Sequence, residues 1–299
     1  GRLGGHSGEA MINGGTALVG LLGNPVRHSL SPAMQNAALQ AMGLNWSYLA
    51  LPCEAQDLPV VLEGLRAVGC RGLNVTIPHK QNVVDLCREL APLAERLQAV
   101  NTLIPLASGG WQGANTDVEG FLAPLRERRN WQGQRALVIG NGGSARAVVA
   151  GLQTLGLESL TVVGRRQDAL AGFITELSLE DAPVQACLGS DQGLQDLIQS
   201  SDLVVNTTPV GMAQHGDADA LPLGLDLWTN LAQATTLYDL IYTPRPTAWL
   251  ALGQRQGLHC IDGLEMLVQQ GAAALRLWTQ QADIPIEAMR QAALAELAA

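Results

Sequence analysis

The sequence predicts an α/β protein of two lobes, each a largely parallel sheet layered with helices, and three observations predict it. From residue 16 onward, short apolar runs alternate with helix-length segments. The alternation halts at the polar, arginine-rich stretch RERRNWQGQ and then starts a second cycle. In that cycle the apolar run RALVIG leads directly into a glycine-rich turn, GNGGSARA. Strands that alternate with helices need crossovers on the sheet faces, which is the layered α/β arrangement.

The elements follow in order. TALVGLLG reads as a first strand, and Ser31 followed by Pro32 reads as a helix start, because proline in a first turn loses no needed hydrogen bond. A strand at WSYLAL, a helix through LPVVLEGLRAVG, a strand at GLNVT and a helix after Pro78 complete the first cycle. The boundary falls near residues 117–134. RALVIG is a continuous apolar run of the kind buried on both faces, and a helix from about Ser144 to Leu155 follows it. SLTVVG, SDLVVN and TTLYDL supply further strands. After His259 and Cys260 the pattern is helical to the end, with LEMLVQQGAAALRLW as a long amphipathic segment, and the pattern alone leaves open which lobe these helices join. Residues 1–10 are glycine-rich and read as a tag or disordered extension.

Composition narrows the function. With 47% hydrophobic and 15% charged residues the chain has material for sizeable cores, so it is an ordinary globular protein. A net charge of -9 argues against nucleic acid or an anionic membrane as the main partner, although a local site can still attract a small anion. The five cysteines are scattered, without CxxC pairs or metal-ligand spacing, so they read as buried reduced thiols of a cytoplasmic protein with no metal. No apolar run approaches the roughly 18 residues of a membrane span.

The turn after RALVI carries Gly140, Asn141, Gly142, Gly143, Ser144 and Ala145, a Gly-x-Gly-x-x-Ala pattern between a strand and a helix. Glycine at the first two positions permits a tight turn and close approach of a pyrophosphate, and the helix amides face the phosphates. A binder of NAD carries an acid at the end of the next strand. Here that strand ends in Gly164, Arg165 and Arg166, whose guanidiniums attract a 2'-phosphate, so NADP is the expected cofactor of a Rossmann-type domain.

In the first lobe polar residues collect where apolar runs end. Ser29 and Ser31 follow the first strand with His28 beside them, and Ser31 alone is most simply an N-cap. Thr76 and Lys80 follow GLNV, AVNTL supplies Asn101, and GANTD supplies Asn115, Thr116 and Asp117. Of the 18 lysines and arginines only Lys80 is a lysine, and an amine can release a proton that a guanidinium holds. Asp117 reads either as an N-cap or as the carboxylate partner of Lys80 in an acid/base pair. Whether His79 tunes the site or faces solvent is open.

The succession GNPVRHSLSPAMQNAAL, GLNVTIPHK, AVNTL, GANTDVEGF, GNGGSARA, GRR, NTTPVGM, DLIYTPRPT and DGLEMLVQQ resembles the shikimate dehydrogenase family along nearly the whole chain. The resemblance implies NADP-dependent, reversible reduction of 3-dehydroshikimate to shikimate in aromatic amino acid biosynthesis. It implies that Ser29, Ser31 and Tyr242 hold the substrate carboxylate, that Thr76, Asn101 and Gln270 bind ring hydroxyls, and that Lys80 and Asp117 exchange the proton. It places Thr207, Leu240 and Gly263 near the ribose and nicotinamide. The family often has Asn-Arg-Thr where this chain has Gly164-Arg165-Arg166, so the adenosine contacts differ while NADP stands. It also implies a discontinuous substrate domain, residues 11–117 with 264–299, around an NADP domain of residues 118–263, with the site in a cleft and the protein a monomer or homodimer.

Two alternatives are set against that reading. An enzyme preferring quinate, or using quinate and shikimate alike, would need room for one more ring hydroxyl and would more commonly use NAD. A non-catalytic sensor of the same fold would tolerate loss of Lys80 or Asp117 and would carry a DNA-binding segment.

Overall fold

The computed structural model describes residues 12–299, so the expected tag or extension at residues 1–10 lies outside the described residues. The chain divides into two compact units, the first running to Thr116 and rejoined by Gly271–Ala299, the second comprising Asp117–Gln270. The return to the first unit thus begins at Gly271 rather than at 264, and Asp117 opens the second unit.

The first unit contains β1 (Ala17–Gly23), α1 (Ser31–Ala41), β2 (Trp46–Pro52), α2 (Leu58–Ala67), β3 (Gly72–Val75), β4 (Glu89–Leu90), α3 (Pro92–Leu97), β5 (Thr102–Pro105) and β6 (Trp111–Ala114). Its sheet has the order β2-β1-β3-β5-β6-β4. β1 pairs in parallel with β2 and β3, whereas β5 runs antiparallel to both β3 and β6. The sheet is therefore mixed. The signal for that hairpin is Gly109-Gly110 between two apolar runs, and both glycines hold positive φ, 104° and 73°, which a tight reversal needs.

The helix expected after Pro78 does not form. Residues 77–83 make turns, followed by a single 3₁₀ turn at Val84–Leu86. The cause is local. The Lys80 carbonyl accepts from Val100 N at 2.8 Å, so the chain uses that acceptor to join the next segment instead of to close a helical turn.

The second unit begins with α4 (Asp117–Arg128) and continues through β7 (Arg135–Ile139), α5 (Gly143–Leu152), β8 (Ser159–Gly164), α6 (Gln167–Leu177), β9 (Gln185–Leu188), α7 (Leu194–Gln199), β10 (Leu203–Asn206), β11 (Thr236–Asp239), α8 (Ala248–Arg255) and β12 (His259–Ile261). Its strand order is β12-β11-β10-β7-β8-β9, with every pairing parallel. The chain winds outward from β7 to β9, then returns to β10 and winds the other way. Beside β7 the order reverses, which opens a crevice at the carboxyl ends of the strands. The core on one face holds Leu137, Ile139, Ile198, Val204, Trp228 and Trp249. β9 and β12 escape sequence reading because QACL is half exposed at the sheet edge and HCI is only three residues long.

α9 (Leu264–Thr279) spans the division, and α10 (Ile286–Ala298) packs along α1. Trp278 of α9 donates its indole N–H to the Leu103 carbonyl at 3.1 Å and occupies the space where Gly72 lacks a Cβ. The end of α9 and all of α10 accordingly belong to the first unit. Cys53 and Cys70 are buried as expected, but Cys87, Cys187 and Cys260 are only half-buried; all five are free thiols. No helix among the described residues is long and apolar enough to cross a membrane.

Candidate active site and cofactor cavity

The glycine turn sits at the crevice beside β7. Gly140 has φ of 104°, and a Cβ there would lie 2.5 Å from Thr207 Oγ1 and 2.9 Å from Thr208 Cγ2, so only glycine fits. Gly142 caps α5, and a Cβ on Gly142 or Gly143 would meet nothing within 4 Å. Those two positions face open space where a ligand can reach the backbone amides. Ala145, fully buried, is the small residue that lets helix and strand pack closely. Ser144, half-buried, lies in the first turn of α5.

A cavity of about 490 Å³ opens over this turn. Gly140, Asn141 and Gly142 form one side, Gly164, Arg165 and Arg166 another, and Thr207 a third. Thr207 spends its hydroxyl hydrogen on the Ile139 carbonyl at 2.7 Å, so it offers a ligand only acceptor lone pairs. Both arginines are exposed immediately after β8, in the place of the acid that an NAD binder carries there. Helix amides at an open glycine turn, joined by two guanidiniums, fit a pyrophosphate with an additional phosphate.

Leu240 and Gly263 lie side by side, though neither lines that cavity. Gly263 donates to the Ile241 carbonyl at 3.2 Å, and a Cβ on Gly263 would overlap the Leu240 carbonyl oxygen. Gly263→Ala is expected to lower the melting temperature by roughly 5–10 °C, because overpacking against backbone costs up to about 3 kcal/mol. A thermal melt with and without cofactor tests this, and an unchanged melting temperature would mean that the Leu240 backbone yields freely.

The loop carrying Leu240 and Tyr242 is anchored by Asp239, fully buried at the end of β11. Its Oδ1 accepts from Asn206 Nδ2 at 3.1 Å and from Ile241 N at 3.2 Å, and its Oδ2 accepts from Thr247 Oγ1 at 2.9 Å. Burial pushes the carboxyl up to about 7 despite these donors. A carboxyl raised in the folded state contributes stability that is present below its unfolded pKa and is lost as pH rises toward the folded value. The melting temperature of the native protein minus that of Asp239→Asn is therefore expected to fall between about pH 4 and 7 and then level off. A difference constant across that window would contradict this titration. Tyr242 is half-buried, and burial pushes its phenol up.

Asp117 is the first residue of α4, buried, and Gln270 is buried on α9 with its Nε2 donating to the Leu267 carbonyl at 2.8 Å. α4 and α9 cross closely at Gly120, where a Cβ would lie 2.6 Å from the Met266 carbonyl oxygen.

In the first unit the other polar candidates share the carboxyl ends of β1 and β3. Ser31 is not an N-cap: Leu30 holds the cap position of α1 and no side chain caps it. The Ser29 hydroxyl instead accepts from Ser31 N at 3.1 Å, which ties the two serines together. His28 beside them is exposed. Thr76 N donates to the Leu22 carbonyl at 2.9 Å, and Asn24 N to the Ile77 carbonyl at 3.1 Å, so the loops after β1 and β3 are stitched to each other. Asn101 joins them through its carbonyl, which accepts from Val75 N at 2.8 Å. Lys80, half-buried, follows on the same stretch. His79 does not face solvent. It is fully buried, its Nε2 donates to the Cys53 carbonyl at 2.5 Å, and its Nδ1 has no partner. Asn115 Nδ2 donates to the Ala99 carbonyl at 3.2 Å, a structural use.

Two residues that sequence reading passed over belong to this edge. Tyr48 and Asn74 are buried and hydrogen-bonded at 2.8 Å. The available signal was Asn74 itself, an amide inside the otherwise apolar, fully buried strand GLNV.

A reversing parallel sheet with an open glycine turn and a cationic rim defines an α/β protein that binds a phosphorylated dinucleotide. Residues 21–103 match a family model described as the shikimate dehydrogenase substrate binding domain, and residues 263–294 match the shikimate 5'-dehydrogenase C-terminal domain. The chain is 49% identical to a shikimate dehydrogenase (NADP(+)) of Synechocystis, over 96% of this chain and 98% of that one. It is 43% identical to one of Prochlorococcus marinus, over 94% and 98%. A crystal structure of shikimate 5-dehydrogenase from Thermus thermophilus in complex with NADP(H) and shikimate superposes with a TM-score of 0.81 at 33% identity, covering 94% of this chain and 99% of that one. The chain belongs to the shikimate dehydrogenase family.

Proposed function

We propose that the protein catalyses the NADP-dependent, reversible reduction of 3-dehydroshikimate to shikimate, with Lys80 and Asp117 as the acid/base pair. The observation that carries the residue assignment is the gathering of Ser29, Ser31, Thr76, Lys80 and Asn101 on one sheet edge by backbone hydrogen bonds. The glycine turn holds the pyrophosphate, Arg165 and Arg166 the 2'-phosphate, and Thr207, Leu240 and Gly263 the ribose and nicotinamide end. When bound, the reduced cofactor supplies a hydride to the ketone carbon.

Ser29, Ser31 and Tyr242 bind the substrate carboxylate, and Thr76, Asn101 and Gln270 orient the ring through its hydroxyls. The Lys80 ammonium donates a proton to the oxygen that gains charge, and Asp117 hydrogen-bonds the substrate and aims Lys80. Orientation and stabilisation of developing oxyanion charge each contribute on the order of several kcal/mol to reactions of this kind. The free thiols support a cytoplasmic setting, and the protein acts as a monomer or homodimer.

The experiment is a grid of shikimate and quinate, each with NADP and NAD, read by the absorbance of the reduced nicotinamide. Turnover concentrated in the shikimate–NADP arm is expected. Preference for quinate, or binding without turnover in every arm, would overturn the reading in favour of the quinate enzyme or the sensor respectively.

A further inference from the structure

An asparagine followed by glycine can close on itself, its side-chain carbonyl carbon being attacked by the next backbone nitrogen, because glycine has no Cβ to screen that nitrogen. This chain has the pair twice, at Asn13-Gly14 and at Asn141-Gly142. Closure also needs a carboxamide able to swing and a backbone nitrogen not held by an acceptor. The fold treats the two pairs differently in both respects.

Asn13 Oδ1 accepts from Gly15 N at 2.9 Å and from Asn45 Nδ2 at 3.1 Å, so turning it onto Gly14 N breaks both bonds. At the second pair, among the described residues, no hydrogen bond engages the Asn141 carboxamide or Gly142 N. Gly142 caps α5 in extended backbone, with φ of -89° and ψ of -162°, and its amide lies ahead of the helical ladder. It is exposed, and a Cβ there would meet nothing within 4 Å, so water reaches the nitrogen.

We propose that Asn141 is a site of spontaneous covalent modification, deamidation through a cyclic imide, and that a dinucleotide bound on the turn suppresses it. Gly142 N gives its proton to solvent base and attacks Asn141 Cγ; the Cγ–Nδ2 bond breaks, ammonia leaves and a five-membered imide remains. Water then opens the ring. Cleavage at Cγ leaves aspartate, and cleavage at the main-chain carbonyl leaves isoaspartate, whose backbone runs through Cγ and is one methylene longer. One water is consumed and one ammonia released, with no oxidation or reduction.

Both products put a carboxylate where a neutral amide stood. Asn141 Oδ1 lies 3.3 Å from the place of a Cβ on Gly164, and Arg165 lines the same cavity, so the new charge opposes the phosphates that the helix amides and guanidiniums attract. Isoaspartate also lengthens a turn in which Gly140 is already packed against Thr207. Conversely, a pyrophosphate seated on the turn occupies Gly142 N and excludes water. Unliganded enzyme therefore ages at its cofactor site, and liganded enzyme is spared. This protection rests on the reading that the turn holds the pyrophosphate; the imide chemistry does not.

The test incubates the full chain at mildly alkaline pH with and without NADP and follows tryptic peptides by mass. Trypsin releases Asn141 within residues 136–146 and Asn13 in a separate peptide. The 136–146 peptide is expected to gain about one dalton and to resolve into aspartate and isoaspartate forms. NADP at about ten times its Kd leaves roughly a tenth of the turns open, so it should slow that gain about tenfold and leave the rate at Asn13 unchanged. Gly142→Ala, whose Cβ has room, should slow the gain without NADP. Asn141→Asp installs the charge at once and is expected to bind NADP at least about tenfold more weakly. Should that variant fail to fold, the aged native protein, separated by ion exchange, gives the same affinity measurement. No gain at 136–146, a gain that Gly142→Ala leaves unchanged, or a gain that NADP fails to slow although the charged form binds NADP weakly, would overturn the proposal. A gain that NADP fails to slow, together with native NADP affinity in the charged form, would instead remove the pyrophosphate assignment beneath it.

Discussion

Lys80→Arg is expected to lower turnover at least about a hundredfold with a much smaller change in shikimate KM, since general acid/base help contributes about 10²- to 10⁴-fold. The substitution keeps the positive charge and most of the length. What it removes is the ability to give up a proton, because a guanidinium stays protonated under protein conditions. The Lys80 backbone is fixed by its own carbonyl bond to Val100 N, so the loop has a reason to keep its shape in the variant. Because Lys80 is the single lysine, an amine-directed reagent has only this side chain and the chain's α-amino group to attack. Shikimate with NADP is expected to protect Lys80 and leave the α-amino group reactive. Near-native turnover in Lys80→Arg, or equal labelling with and without ligands, would exclude Lys80 as the proton donor. His79 could not then replace it, since its Nε2 hydrogen is committed to the Cys53 carbonyl inside the core.

The second large effect is expected at the cofactor cavity. Arg165→Ala combined with Arg166→Ala should weaken NADP binding by about tenfold to over a hundredfold, the worth of one or more charge-assisted contacts to a phosphate, and should leave NAD binding nearly unchanged. Both side chains are exposed and both line the cavity, so their removal leaves the core of the second unit intact. Titration of each dinucleotide by isothermal calorimetry separates the outcomes. Equal losses for NADP and NAD would mean that the arginines act on the shared pyrophosphate or on the loop itself.

The second unit was the more legible in the sequence. RALVIG and SLTVVG announce themselves as continuous apolar runs because both faces of a parallel sheet are covered, and the glycine turn is fixed by steric needs that few other sequences meet. The first unit misled in two places. The β5–β6 hairpin is written in short, mixed runs around Gly109-Gly110, and the stretch after Pro78 has helix-like composition but gives its Lys80 carbonyl to a distant amide. Such a bond is set by tertiary context and leaves no periodic trace. Residue type alone points to Ser31 as the cap of α1, whereas the hydroxyl that accepts a backbone hydrogen there is that of Ser29. Asn101 could be found by motif, but the buried Tyr48–Asn74 hydrogen bond beside it joins β2 to β3, and that meeting depends on the register of the sheet.

Trp278 over Gly72 has a consequence for the order in which the molecule can be completed. The sheet beneath it is finished by Ala114, yet the indole that fills the gap above β3 is translated only after the whole of Asp117–Gln270. On the ribosome the contiguous second unit has every residue of its core available first. The first unit must wait, with apolar surface uncovered, for the last two helices to emerge. A chain stopped just after Gln270 would keep one finished half and one half missing its lid, which makes the nascent first unit the part most in need of a chaperone.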